Sequence, residues 1–340
     1  MAEKILRNTS NSSLPLHDIF ALPLITLQFT IIFNILTSCI SLLANTYILY
    51  VIYINKNLRK PSYYALANLA IANIMVAVLY PIPLLVTFLS GIPGKLNSKT
   101  LIQIICGFIR PLAVTAVMVV NCTLAFIAID KYRTLVYKSN STRRTSINLR
   151  TTILIIIGIW VIGLLEQWPR TILVLRNRSA ARFCRFFPNP QFQMSIKLTI
   201  STANIIIPFI IMLVCHYKIA NSLKYHRHRL IFVFEAASRM NRIQPHQFKS
   251  YSSKSVRLAA RMLRKLTYWQ FFFCFLWLLA NYLSNFGYAY KINFYLVGIA
   301  FNIQQVTVVA TGLPSPIAYI LWLKKFRKPI QSFCSAIQGH

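Results

Sequence analysis

Long apolar runs alternate with short polar connectors along almost the whole chain. Seven of these runs, at about residues 25–54, 62–89, 102–129, 150–169, 194–217, 266–289 and 292–323, are long enough to cross a bilayer, since roughly 20 apolar residues in a helix span its hydrocarbon core. Hydrocarbon offers the backbone no hydrogen-bonding partner, so such runs must be helical. The pattern predicts an all-α membrane protein, a bundle of seven transmembrane helices over residues 25–323, with an N-terminal segment 1–24 and a tail 324–340. The first run is too long for a signal-peptide core and lacks a small-residue cleavage site, which predicts an uncleaved chain. No internal repeat or separate soluble domain is visible.

Composition agrees. The chain is 56% hydrophobic and 12% charged, with a mean hydropathy of +0.55, too apolar for a water-soluble domain of this length. A net charge of +32 in a soluble protein would point to nucleic acid, through phosphate neutralisation and counterion release. Location argues otherwise. With the N-terminus outside, connectors 55–61, 131–150, 218–265 and 324–340 face the cytoplasm and hold 25 of the 37 Lys and Arg residues. That is the positive-inside bias, and it predicts no nucleic-acid partner but a basic inner face that attracts anionic membrane lipids.

The same orientation places three glycosylation triplets outside, at Asn8, Asn11 and Asn177. Two further matches, Asn121-Cys122-Thr123 and Asn140-Ser141-Thr142, fall within a helix and on the cytoplasmic side, where glycosylation does not occur. Seven cysteines are too few for a disulfide framework. Cys39, Cys122, Cys215 and Cys274 lie within apolar runs and are expected to pack as small hydrophobes. Cys106 and Cys184 share the oxidising side and are expected to pair. Cys334 follows a basic segment at the inner surface and is either palmitoylated or a free thiol.

A polar or bulky mark interrupts every apolar run, and polar groups in hydrocarbon need a structural or functional reason. The first carries Asn45 in SLLANTYILYVI, the second Asn68 and Asn73 in LANLAIAN, and the third ends in Asp130-Lys131-Tyr132. The fourth has Trp160, the fifth Pro208, the sixth Trp277, and the seventh Pro316 and Tyr319 in LPSPIAYILW. In this order, one set per helix, the chain resembles the rhodopsin-like (class A) family of G-protein-coupled receptors over residues 25–333, as a divergent member most similar to peptide-binding receptors. Cys106 stands 25 residues before Lys131, and Tyr319 seven before Phe326, as the family spaces its outer cysteine and its short amphipathic eighth helix.

The resemblance implies a switch. In the family, the acid at the inner end of the third helix restrains the adjacent arginine until activation frees it to meet a heterotrimeric G protein. Asp130, Lys131 and Tyr132 occupy those positions, with Trp277, Pro316 and Tyr319 as relays. The plainer reading of Asp130-Lys131 alone is a snorkelling interfacial pair. Several departures touch the machinery. Lys131 replaces the planar five-donor guanidinium with a compact ammonium, which is not equivalent at a stacked or bidentate site. Asn73, Ser315 and Val120 stand where aspartate, asparagine and serine are usual, so no allosteric sodium site is expected, because a hard cation wants anionic oxygens. Asn45, Asn73, Thr311 and Ser315 are expected to form a neutral polar network instead, with simple packing as the alternative. Leu279 stands where a proline kinks the sixth helix, which predicts a straighter helix and a smaller swing. His216 replaces a tyrosine and is read as a structural hydrogen-bonder. Tyr217, turned by about 100°, is not expected to substitute.

Ligands of the family sit in the outer half of the bundle. Ala113 occupies the place of the aspartate that binds amines, which argues against an amine ligand, whose ammonium would have no counter-ion there, the only other acid nearby being Glu166. Glu166 and Arg170 stand four apart in the order that favours a helical ion pair. Arg110 and Lys197, with loop residues Arg176, Arg178, Arg182 and Arg185, make the outer mouth positive. That would hold a peptide or small molecule bearing an anionic group, unless these side chains only snorkel to headgroups. On the inner side, RLAARMLRKL reads either as an extension of the sixth helix or as a helix lying on the bilayer, the latter being plainer. No acid lies near Ala259 and Ala260 to lock the third helix to the sixth, which predicts raised basal activity. Phosphorylation of Ser250, Ser252, Ser253 and Ser255 would create ion pairs there.

Five scattered acids, six His residues without metal-ligand spacing, and no Gly-rich phosphate loop argue against an enzyme, a cofactor or a metal. Two competitors remain: a seven-helix protein that binds without signalling, as a scavenger or partner of another receptor, and a transporter, which lacks the expected paired interrupted helices.

Overall fold

Forced to bond within itself, the backbone is helical almost throughout the described residues, which are 24–90, 103–136, 147–176, 190–239, 251–289, 294–322 and 326–327 of a computed structural model. The first span is one helix, Leu24–Ile54. A 3-10 turn, Lys56–Leu58, follows Asn55, whose side chain accepts from the Asn57 amide. The second span is Pro61–Leu79, continued after Tyr80 by Pro81–Ser90. Pro61 opens its helix where a missing N–H costs nothing. The third begins with a π turn, Ile105–Ile109, and runs from Arg110 to Val136. The fourth is Leu149–Arg176 and the fifth Pro190–Arg239. The sixth is Tyr251–Ala289, and the seventh is split into Phe294–Ala310 and Pro314–Trp322.

Three outcomes differ from the sequence reading. Among the described residues, six spans contain a helix long and apolar enough to cross alone, whereas the seventh comes in two pieces around a turn at Thr311–Leu313. The fifth and sixth helices run well beyond 194–217 and 266–289, because a helix leaving the bilayer keeps its own backbone hydrogen bonds. RLAARMLRKL accordingly continues the sixth helix rather than forming a separate surface helix. With Leu279 in place of proline, that helix has no internal break, and Leu279 faces outward. Residues 326–327 are helical. The expected glycosylation sites Asn8, Asn11 and Asn177, together with Cys184 and Cys334, lie outside the described residues, as do the side chains of Arg170 and Lys197.

The solvent inverts the burial pattern of a soluble protein. Large apolar side chains such as Phe29, Leu36, Leu43, Leu154, Leu165, Trp168, Phe272 and Leu321 point outward, while Asn34, Ser41, Asn45, Asn73, Thr123, Gln270 and Asn281 are buried. On the first span Thr30, Asn34, Thr37, Ser41 and Asn45 form one buried polar stripe at helical spacing. Without a hydrophobic drive between helices, association rests on close packing and interhelical hydrogen bonds. Small residues permit the packing: Ala65, Ala72, Ala113, Ala116 and Ala128 are all buried. The third span is the axis, with 72% of its apolar window buried against 11% for the fourth.

Asn68 supplies the clearest interhelical tie. Its amide donates to Thr123 Oγ1 at 2.8 Å, and its carbonyl accepts from Trp160 Nε1 at 2.9 Å, joining the second span to the third and fourth. Asn68→Leu leaves a buried hydroxyl and an indole N–H without this partner. At about 0.6–1.7 kcal/mol per membrane-embedded bond, the melting temperature of the purified protein is expected to fall by several degrees. An unchanged melting curve would show that these bonds contribute nothing.

Candidate functional site

Two interruptions of helices, the turn at 311–313 and Pro208, prepare the polar centre. A proline within a helix has no N–H for the carbonyl four residues earlier, and in hydrocarbon that carbonyl must find another donor. The turn at 311–313 breaks the seventh span and leaves the Gly312 carbonyl outside the helix that Pro314 opens; it accepts from Asn45 Nδ2 at 3.2 Å. Pro208 frees the Asn204 carbonyl, which Asn121 Nδ2 approaches at 3.5 Å. Each break in one helix is thus answered by an asparagine of another.

Around the first of these, Asn45, Asn73 and Ser315 come together. Asn73 Nδ2 donates to Asn45 Oδ1 at 3.1 Å and to Ser315 Oγ at 3.2 Å, and Asn45 Nδ2 also bonds the Ser41 carbonyl at 2.7 Å. The first, second and seventh spans are joined by neutral groups alone. Thr311, expected in the same network, is buried beside it but turns its hydroxyl to the Val308 carbonyl at 2.6 Å. The turn at 311–313 leaves that carbonyl in reach, and the local bond wins.

At one end of the third span, the Asp130 side chain is 5% exposed and that of Lys131 37%. Asp130 Oδ2 accepts from Ser62 Oγ at 2.5 Å, and the Lys131 ammonium lies 3.8 Å from the same oxygen. The shorter restraint on the carboxylate therefore comes from the first turn of the second span. Thr134 Oγ1 caps the Asp130 and Lys131 carbonyls. The Lys218 ammonium of the fifth span lies over the Tyr132 ring, 5.6 Å from its centroid, a cation–π contact. Tyr319 is buried, its ring centroid 6.0 Å from that of Phe326. Phe326 is fully buried, its ring lies tilted against that of Tyr63 with centroids 6.4 Å apart, and its carbonyl accepts from Tyr47 OH at 2.6 Å. Tyr319 and the start of the tail are thereby tied to the first two spans.

Higher in the bundle, Trp277 is half-buried, and its indole Nε1 is buried without a hydrogen-bond partner among the described residues. Arg110 is half-buried, and Ala113, one turn on, is fully covered. Cys106 is disulfide-bonded, whereas Cys39, Cys122, Cys215 and Cys274 are free. Glu166 accepts from Gln167 Nε2 at 2.9 Å and from Asn204 Nδ2 at 2.8 Å. His216 bonds the Thr267 hydroxyl across the fifth and sixth spans, while Tyr217 points outward. Both match the sequence expectation.

Several participants were not singled out from sequence. Ser62 follows a helix-opening proline and carries no mark of its own. Asn121 and Gln270, amides in the middle of apolar runs, were detectable by that fact alone. So were Asn281 and Gln304, which join the sixth and seventh spans at 3.0 Å.

The comparisons with known proteins bear on this arrangement. Residues 44–319 match the sequence model described as 7 transmembrane receptor (rhodopsin family). No curated protein matches the sequence. Among solved structures, the crystal structure of squid rhodopsin superposes with a TM-score of 0.67 at 16% identity, covering 93% of this chain and 87% of that one. At that identity the likeness concerns the fold.

Proposed function

This chain belongs to the rhodopsin family of seven-transmembrane receptors, a multi-pass membrane protein and not an enzyme, and on that premise we propose that it senses an extracellular ligand at the plasma membrane and signals to a heterotrimeric G protein. The N-terminus lies outside, as the distribution of Lys and Arg supports. The observation that carries the reading is the buried Asp130 carboxylate, held by Ser62 with Lys131 beside it. A charge sheltered at the end of the central helix is a store of bias, because opening the bundle releases it. Ligand binding outside shifts a two-state equilibrium towards the open form, provided that the two states bind it unequally. Asp130, Lys131 and Tyr132 form the switch, and Trp277, Pro316 and Tyr319 relay to it.

On the outer side, Cys184 is the partner of Cys106, and Arg110 with Lys197 receives an anionic group of a peptide or small molecule. On the inner side, Cys334 carries a lipid and the basic face meets anionic headgroups. A ligand library read out by nucleotide exchange on purified G proteins tests the function. With an agonist in hand, Arg110→Gln and Lys197→Gln are each expected to lower potency at least tenfold, about the effect of losing one charge-assisted hydrogen bond. Unchanged potency for both, at normal surface expression, ends the anion reading.

The second reading is a binder without signalling, a scavenger or a partner of another receptor. It is favoured by Lys131, which meets Asp130 at 3.8 Å through a single point charge. Retained ligand binding with no exchange, basal or stimulated, decides for it. Solute flux driven by ligand in liposomes would instead revive a transporter.

A further inference from the structure

The fifth and sixth helices continue far past the stretches that cross the bilayer. The apolar crossing windows end at Ser222 in the fifth and begin at Arg264 in the sixth, yet the helices run on to Arg239 and start back at Tyr251. At about 1.5 Å per residue, roughly 25 Å of helix follows the fifth span and roughly 20 Å precedes the sixth. Exposed Tyr217, Tyr268 and Trp269, beside exposed Lys218, Arg264 and Lys265, mark the inner interface, where such aromatic and cationic side chains settle. Past Pro208 the fifth helix contains no proline, so its extension keeps the direction of the span instead of folding back onto the membrane.

Two features of this extension are out of place in water. The first is charge. Residues 218–265 hold 12 Lys and Arg against one acid, Glu235, and Arg257, Arg261 and Lys265 repeat every four residues, the spacing at which like charges repel along a helix. The headgroups of the bilayer do not compensate, because their field fades within a Debye length of about 8 Å, whereas Arg229 stands roughly 18 Å of helix beyond Tyr217. The second is the run Leu230-Ile231-Phe232-Val233-Phe234, which follows Lys224, Arg227 and Arg229 directly. Five consecutive residues exceed the 3.6 or so of one turn, so no rotation of the helix hides all of them against the sixth. An apolar run left outside both core and bilayer marks a surface that binds something.

We propose that residues 223–239 of the fifth helix are a docking site for a soluble acidic protein of the calcium-sensing EF-hand type. Its opened apolar groove lies on the run 230–234, and carboxylates at the rim of the groove meet Lys224, Arg227 and Arg229. The two features together select this partner. Nucleic acid or lipid headgroups would take the cations and leave the apolar run in water, and an uncharged groove would cover the run and leave the cations uncompensated. A groove edged with acids satisfies both, which is how calcium-loaded sensors hold basic amphipathic helices, with anchors such as Leu230, Phe234 and Ala237 at the i, i+4 and i+7 positions of one face. Calcium opens such a groove, so docking requires it. The site stands apart from Asp130, and it rests on the orientation proposed above but not on signalling.

The full chain in nanodiscs of uncharged phosphatidylcholine, titrated with fluorescent calcium-loaded calmodulin as the probe, is expected to bind it saturably and to release it when calcium is chelated. Ile231→Ser combined with Phe232→Ser and Phe234→Ser is expected to weaken binding at least tenfold, about the effect of one large apolar side chain left unburied. The melting temperature should stay that of the parent, because these residues lie outside the spans. If that variant does not fold, Lys224→Gln with Arg227→Gln and Arg229→Gln is expected to show a loss of the same size. No saturable binding, binding that survives chelation, or unchanged affinity in the folded variant overturns the site. In nanodiscs containing phosphatidylserine, a nitroxide at Phe232→Cys, with Cys39→Ser and Cys334→Ser, is expected to remain open to an aqueous nickel chelate. Protection from the chelate with relaxation by oxygen places the run in the bilayer and also overturns the site. A chain that docks calmodulin yet never drives nucleotide exchange would fail the receptor reading alone.

Discussion

Asp130→Asn is expected to raise ligand-free nucleotide exchange about tenfold at matched surface expression. Asparagine keeps the shape and still accepts from Ser62, so the change isolates the charge. A hydrogen bond to a charged group contributes about 1.5–3 kcal/mol and a neutral one about 0.5–1.5 kcal/mol. The difference, about 1–1.5 kcal/mol, corresponds to roughly a tenfold shift in a two-state equilibrium. Lys131 also loses its only ion-pair partner among the described residues. With that ammonium about one-third exposed, the pair itself adds little. Ser62→Ala should act in the same direction and less strongly, because it removes one bond and keeps the pair. If both variants keep the basal rate of the parent, the carboxylate is a structural cap and the switch lies elsewhere.

Gly312→Leu is expected to prevent the protein from reaching the surface in folded form. The first and seventh spans touch through this residue: a Cβ placed there would lie 2.7 Å from Ser41 Oγ, 3.4 Å from the Val309 carbonyl and 3.6 Å from Asn73 Cβ. The Gly312 carbonyl is also the acceptor for Asn45. A methyl displaces the Ser41 hydroxyl, and any larger side chain must push the two spans apart and so stretch the Asn45, Asn73 and Ser315 cluster. Overpacking of this kind typically costs about 1–3 kcal/mol, and a leucine exceeds that because Val309 and Asn73 close the other directions. Gly312→Ala should fold with a lowered melting temperature. Adding Ser41→Ala, which removes the oxygen at 2.7 Å, should restore part of the loss. No restoration in the double variant would show that Ser41 is not what confines the site.

The polar centre was legible in the sequence only in part, and the reason is reach along the chain. Asn45, Asn73 and Ser315 stood out because amides and hydroxyls in hydrocarbon demand partners, and they do find one another. The alternative partners of Thr311 could not be weighed, because they depend on the turn at 311–313 that places the Val308 carbonyl within reach. Ser62 is 68 residues from Asp130 and carries no local signal. His216 and Tyr217 were separable beforehand, because one residue along a helix turns the side chain to another face, and they do face inward and outward respectively.

By itself the sequence determined that the chain lives in a bilayer, where its crossings lie to within a few residues for the first two spans, and which polar side chains needed company. Those properties follow from transfer between water and hydrocarbon, which each segment undergoes on its own. Only the tertiary structure decided who keeps company with whom: Asn45 on the carbonyl exposed by the turn at 311–313, Asn121 on the one freed by Pro208, Ser62 on Asp130, and Gln270 left with a bare oxygen. Such pairings depend on the rotation and register of helices that are distant in sequence, and these are set by close packing of all spans at once.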